Sequence, residues 1–227
     1  MPVKHFNMGN AFGVVTKATP TKKKKEKEEK EEASADPSKK EEEKEDSGAF
    51  VLKVQLLCRS DVHGKVTAFG TVFNEKARAF LEFHKANPDA LIKLNGFFVQ
   101  EEYEGKLYNK LNFFEWEKRP TETPRAGFHL TGELLRIIET GEEKLIRIKC
   151  VRPKGKEEGS DLREEEFSFY LHPKNEKRIK KEVMDSLTAG ATVTLSGYLC
   201  QMGEYNEFTD QREGEVKPYV KEIKVHS

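Results

Sequence analysis

Asn74-Glu75-Lys76, followed by Leu94-Asn95-Gly96-Phe97, returns as Asn175-Glu176-Lys177 followed by Leu195-Ser196-Gly197-Tyr198, every pair separated by 101 positions without a gap. Gln100 and Gln201 keep this spacing, and Tyr103 and Tyr205 follow one residue out of step. A self-match held over the 27 positions from Asn74 to Gln100 implies two copies of one structural unit, in a chain whose 227 residues suffice for two domains of ordinary size.

Outward from the repeat, the period of the apolar residues sets the elements. In the first copy AFVLKVQLLCR alternates Leu52, Val54 and Leu56 against Lys53, Gln55 and Leu57. A turn at Asp61-Val62-His63-Gly64 leads into KVTAFGTVF, NEKARAFLEFHKAN predicts a helix ended before Pro88, and ALIKLNGFFVQ and KLYNKLNFFEW predict a closing hairpin. The second copy repeats this order with LIRIKCV, EFSFYL, the helix NEKRIKKEVMDSL, TVTLSGYLCQ and YVKEIKV. Upstream, HFNMGNAFGVVTK is similar to FHLTGELLRIIET, Gly9 matching Gly132 and Val14-Val15 matching Ile137-Ile138, so a first strand over about His5 to Lys17 opens the first copy.

Three strands, a helix and two strands is the order of the oligonucleotide/oligosaccharide-binding (OB) barrel. The expected fold class is therefore all-β: two tandem five-stranded OB-fold barrels with one helix in each. Domain one covers 1–119 and domain two 127–227, with 120–126, which opens with PTETP (Pro120 to Pro124), as the linker.

Because the first strand precedes it, the charged tract from Thr21 to Asp46 becomes an insertion at 18–48 between the first two strands of domain one. It has nine Lys against eleven acids and no aliphatic larger than Ala, so it cannot repay its ordering entropy and disorder is expected. A loop there frames the groove of an OB barrel, which puts Lys22 to Lys25 near any bound strand.

Formal net charge is zero, which supplies no bulk electrostatic case for nucleic acid. No apolar run is long enough for a membrane span and MPVKHFNMGN lacks a signal-peptide core, so a cytoplasmic protein is expected, nucleoid-associated if bacterial. Cys58, Cys150 and Cys200 form no C-x-x-C pair and read as reduced structural thiols, and the six His show no ligand spacing, so neither metal nor cofactor is expected.

Thr67-Ala68-Phe69-Gly70, the helix opening Asn74-Glu75-Lys76-Ala77, and Ile92-Lys93-Leu94-Asn95-Gly96 with Tyr103-Glu104-Gly105 after it resemble bacterial single-stranded DNA-binding proteins. The resemblance covers about Lys65 to Lys110 and weakens in copy two, where the triplet becomes Phe169-Tyr170-Leu171. It implies that bases stack on aromatics beside basic residues that follow the phosphates, with Phe69 as the stacking residue of the triplet. Alternation also turns Phe69 outward, and the 101 spacing places Tyr170 at the same site in copy two.

The same alternation extends the surface. Lys93 and Phe97 face out if Ile92, Leu94 and Phe98 face in, with Tyr198 as the counterpart of Phe97. Leu111 and Phe113 inside leave Tyr108, Lys110, Phe114 and Trp116 outside, an interleaved aromatic and basic strip. Lys53 and Gln55 flank it in copy one, Arg147 and Lys149 in copy two.

These residues predict a non-enzymatic, sequence-tolerant binder of single-stranded DNA serving replication, recombination or repair, acting chiefly through the first copy, as a monomer or homodimer and in company with replication or repair proteins. Two alternatives are a protein-interaction module and an RNA binder. Catalysis lacks a carboxylate pair at matched outward positions and a phosphate-cradling loop.

Overall fold

A computed structural model describes residues 4–22, 50–59, 64–104, 106–118, 125–153, 161–209 and 211–226. β1 (Phe6–Lys22), β2 (Phe50–Arg59) and β3 (Lys65–Phe73) form an antiparallel meander, and α1 (Asn74–Ala86) leads to β4 (Leu91–Tyr103) and β5 (Lys106–Lys118). β4 pairs with both β1 and β5, and β5 runs parallel to β3, so these five strands close into a ring. This is the OB barrel, in the element order that the apolar period predicts.

A second set follows: β6 (Ala126–Thr140), β7 (Glu143–Pro153), β8 (Leu162–Leu171), the short helices α2 (Pro173–Glu176) and α3 (Lys181–Asp185), and β9 (Thr192–Gln201). A small hairpin, β10 (Glu204–Asn206) and β11 (Gln211–Glu213), precedes the last strand, β12 (Val216–His226). The pairings β6–β7, β7–β8, β8–β12, β12–β9 and β9–β6 close this set in turn. The predicted single helix over NEKRIKKEVMDSL is instead two short turns. The first starts at Pro173, a residue suited to a helix start, and Asn175 is buried there, its Nδ2 donating to the Val220 carbonyl at 2.8 Å.

Two boundaries move. β1 does not stop at Lys17: Ala18 to Lys22 pair with Val54 to Phe50, so the charged insertion leaves the end of a paired ribbon instead of the barrel rim. Residues 23–49, on which the disorder reading falls, lie outside the described residues, as do 119–124 of the linker region. Ala126 already belongs to β6.

The two rings share one apolar core. Phe6 to Ala11 of β1 pair with Thr131 to Ala126 of β6. Across that ladder Phe98 of the first ring packs 5.6 Å from both Phe128 and Phe169, and 5.9 Å from Phe167.

The sequence match that aligned Gly9 with Gly132 is four residues out of step. Gly13 is the structural counterpart of Gly132: a Cβ would stand 2.2 Å from the Leu57 carbonyl oxygen in one case and 2.6 Å from that of Lys149 in the other. Each glycine also shortly precedes a bulge, at Val15/Lys17 and at Leu134/Arg136. Gly9 then corresponds to Phe128, and these two face each other across the β1–β6 ladder, which puts a pseudo-two-fold axis through that rung.

Candidate nucleic-acid interface

Strand register brings the expected groove together in the first ring. Lys17, Gln55 and Phe69 stand in one row across β1, β2 and β3, with Thr19, Lys53 and Thr71 in the next equivalent row. With Lys110 of β5 they line a cavity of about 340 Å³. Phe69 is 42% exposed while its neighbours Ala68 and Gly70 are buried, so an apolar ring stands in water beside three lysines. Lys110 also pairs with Glu101, and Tyr108, two residues earlier on the same face, is exposed. The outward orientation that alternation predicts for Phe69, Lys53, Gln55, Lys110 and Tyr108 is the one these strands have, and all but Tyr108 line this cavity. Alternation misses Lys17 and Thr19, whose strand continues past its apolar stretch on backbone pairing alone.

Beyond this groove the outward strip breaks. Asn95 pairs with Glu115 and Gly96 with Phe113, leaving Phe114 as the extra residue of a β-bulge. One extra residue exchanges the two faces of a strand. Trp116 therefore points inward, 5.5 Å from Phe80 and 4.6 Å from Phe83 of α1. Phe114 lies half-buried 5.2 Å from Phe97, and the Arg152 guanidinium sits 4.3 Å above the Phe97 ring, held by Glu165 at 2.8 Å. Lys93 stands opposite Glu117 and Phe12, and it does not line the groove.

Among the described residues the second ring presents a different surface at the matching place. Arg147 faces Ser168 across β7–β8 as Gln55 faces Phe69 across β2–β3, so Ser168 is the counterpart of Phe69 and Tyr170 stands two residues beyond it. The closing strands agree: Phe97 and Asn112 share a rung with Thr71, whereas Tyr198 and Tyr219 share one with Tyr170. Two extra residues in the helical segment restore the 101 spacing by Gly197, which is why a gapless match conceals the slip. Ser168 is buried, and Gln100 of the first ring caps it: Gln100 Nε2 donates to the Ser168 carbonyl and the Ser168 N–H donates to Gln100 Oε1, both at 2.7 Å. The cations of this face are neutralised as well, Arg147 by Glu166 at 2.9 Å and Lys149 by Glu133 at 3.8 Å. Conversely, Gln201 accepts from the Thr67 N–H at 3.2 Å, two residues short of Phe69, and leaves that ring open.

Tyr170 and Tyr198 belong to a different surface. With Tyr219 they form a row across β8, β12 and β9, at centroid distances of 5.8 and 6.0 Å from it, and Lys217 Nζ lies 4.4 Å from the Tyr170 ring. Tyr219 is buried and its hydroxyl donates to Glu143 at 2.9 Å; burial first, and then this carboxylate, push its pKa well above the ordinary tyrosine range. Tyr198 and Tyr219 border a cavity of about 600 Å³ whose lining includes Arg125, Lys174, Arg178, Arg212 and Lys221. Alternation does not point to this cavity, because its cations come from four separate segments, two of them from the turn around α2.

In fold the chain is similar to the crystal structure of the wild-type single-stranded DNA-binding protein from Thermus aquaticus, with a TM-score of 0.57 and 12% identity over 99% of this chain and 95% of that one. A deletion mutant of the Thermus aquaticus protein gives 0.56 and 11% over 99% and 96%. The likeness is one of fold. The chain matches no protein-family profile and no curated protein.

Among the described residues no group of three His, Cys, Asp or Glu side chains is placed to hold a metal. Burial pushes the Cys58 thiol up to about 12 and the Cys150 thiol up to about 11, so both stay protonated at neutral pH. What the first-ring groove offers chemically is a π-face flanked by ammonium groups, suited to a base and its phosphates.

Proposed function

We propose that this protein binds single-stranded DNA without reading its sequence and without catalysing a reaction, in the service of replication, recombination or repair. The observation that carries the reading is Phe69, exposed on β3 in a groove lined by Lys17, Lys53 and Lys110. The fold likeness to single-stranded DNA-binding proteins supports it. In this reading residues 1–119 and 127–227 are two OB units on one shared core, acting in the cytoplasm as a monomer or homodimer.

The test is a titration of labelled single-stranded DNA, duplex DNA and RNA, read by fluorescence anisotropy, with wild type and Phe69→Ala side by side. A stacked base contributes about 1 to 3 kcal/mol, so Phe69→Ala is expected to weaken single-strand binding by roughly 5- to 150-fold. Tighter binding of RNA would assign the groove to that polymer. Binding of none of the three would favour a protein-docking role, a reading supported by the zero net charge and the self-neutralised β7–β8 face.

A further inference from the structure

We infer that the cavity against α2, β9 and β12 is a second seat for the same DNA strand, taking a nucleotide whose phosphate lies among Lys174, Arg178 and Lys221 and whose base lies on Tyr198. The inference rests on single-stranded DNA binding by the first ring.

Charge is the first argument. The lining holds five Lys or Arg side chains and no carboxylate, in a chain of zero formal net charge. Lys174, Arg178 and Lys221 are exposed and make no ion pair among the described residues, in contrast to the cations of the β7–β8 face, which carboxylates neutralise. Positive charge gathered in a half-open cavity focuses the field on an incoming polyanion.

Shape is the second. About 600 Å³ lies within the range of sites that hold small organic ligands. Tyr198 is half-buried on one wall, and its ring is fixed by Asn175 Nδ2 at 3.3 Å from the hydroxyl and by stacking at 24° on Tyr219. A preset ring loses little freedom when a base covers it.

Continuity with the first ring is the third. β11 extends the sheet at β3, with Gln211 pairing with Lys65 and reaching the Thr67 hydroxyl at 3.5 Å. Arg212, the next residue, lines the cavity, and its Nη1 donates to the Gly203 carbonyl at 2.8 Å. A strand leaving Phe69 along β3 therefore covers about 13 Å to Lys65 and arrives at the cavity rim.

The experiment compares wild type, Phe69→Ala and the double variant Arg178→Gln/Lys221→Gln on two oligothymidylates, one of about 6 nucleotides, within the reach of one barrel, and one of about 30, which spans both. Both glutamines replace exposed side chains, and thermal melting verifies that the fold is kept. The expected result is that Phe69→Ala weakens both oligomers, while the double variant weakens the longer one about ten-fold, lowers its salt slope by about 1.4, and leaves the short one unchanged. An unchanged long-oligomer affinity and slope in the double variant, with wild type binding normally, overturns the second seat and leaves the first-ring reading intact. Failure of wild type to bind either oligomer overturns both. Thymidine monophosphate is titrated alone as well: if it binds as tightly as the long oligomer and the double variant abolishes it, the cavity is a free-nucleotide site and the strand seat is overturned.

Discussion

The side-chain amide of Gln100 exchanges two 2.7 Å hydrogen bonds with the backbone of Ser168, in the manner of one more strand on the edge of β8. The first ring thus covers, with its own hairpin, the position in the second ring that corresponds to Phe69. Gln100→Ala leaves a buried backbone donor and acceptor short of partners and is expected to lower stability by about 2 kcal/mol. Gln201→Ala, which removes a longer bond from the Thr67 N–H and an exposed 3.5 Å bond to the Gly214 carbonyl, is expected to cost about 1 kcal/mol or less. Urea unfolding of the two variants reads the difference, and equal losses would show that the docking is symmetric.

Phe69 and Tyr170 are expected to respond unequally to truncation. Phe69 stands in the open groove, whereas Tyr170 lies half-buried beneath Lys217 and beside Tyr219. Tyr170→Ala should reduce single-strand affinity by less than three-fold where Phe69→Ala removes about 1 to 3 kcal/mol. Matching losses in an anisotropy titration would refute the two-residue slip as a functional difference.

Trp116, the only tryptophan, reports on the core and not on the groove. Its ring rests on Phe80 and Phe83, so added oligonucleotide should leave its emission nearly unchanged. Trp116→Ala is expected to cost about 3 kcal/mol of stability through the space it leaves against α1. Strong quenching on DNA addition would contradict the inward orientation.

The buried thiols give an alkaline limit. Cys58 has its pKa raised from an ordinary 9.0 to about 12, and Cys150 to about 11, both chiefly by burial. A raised folded pKa means that the unfolded chain ionises first, so this contribution to stability is complete below pH 9.0 and is lost as pH rises toward 11 and 12. Denaturation midpoints should fall across that window, and Cys58→Ala/Cys150→Ala should flatten the fall. An unaltered slope in the double variant would assign the loss to other groups.

Much of the barrel is readable in the chain because strand alternation follows directly from burial of one face, and Leu52, Val54 and Leu56 against Lys53 and Gln55 sort themselves without further information. The first-ring groove follows from the same rule. What escapes it are single-residue events. The bulge at Phe114 inverts a face, and the slip before Tyr170 is cancelled by a longer helical segment, so a gapless self-match cannot register it. The match of Gly9 to Gly132 fails for a similar reason: what pairs Gly132 with Gly13 is close contact with a carbonyl of the neighbouring strand, Lys149 and Leu57 in turn, and strand pairing is not written in a linear match. Gln100 and Gln201 were visible as a spaced pair, yet their docking role depends on which ring each one reaches.

Closure of both rings and the β1–β6 ladder that joins them also decide what the molecule can stick to. Among the described residues β10, three residues long, is the one strand with a neighbour on a single side. Edge strands with free N–H and C=O groups are templates for pairing with other chains, and short ones are poor templates. Among the described residues this leaves another chain few whole strands to pair with, at a zero net charge where charge repulsion gives no protection against aggregation.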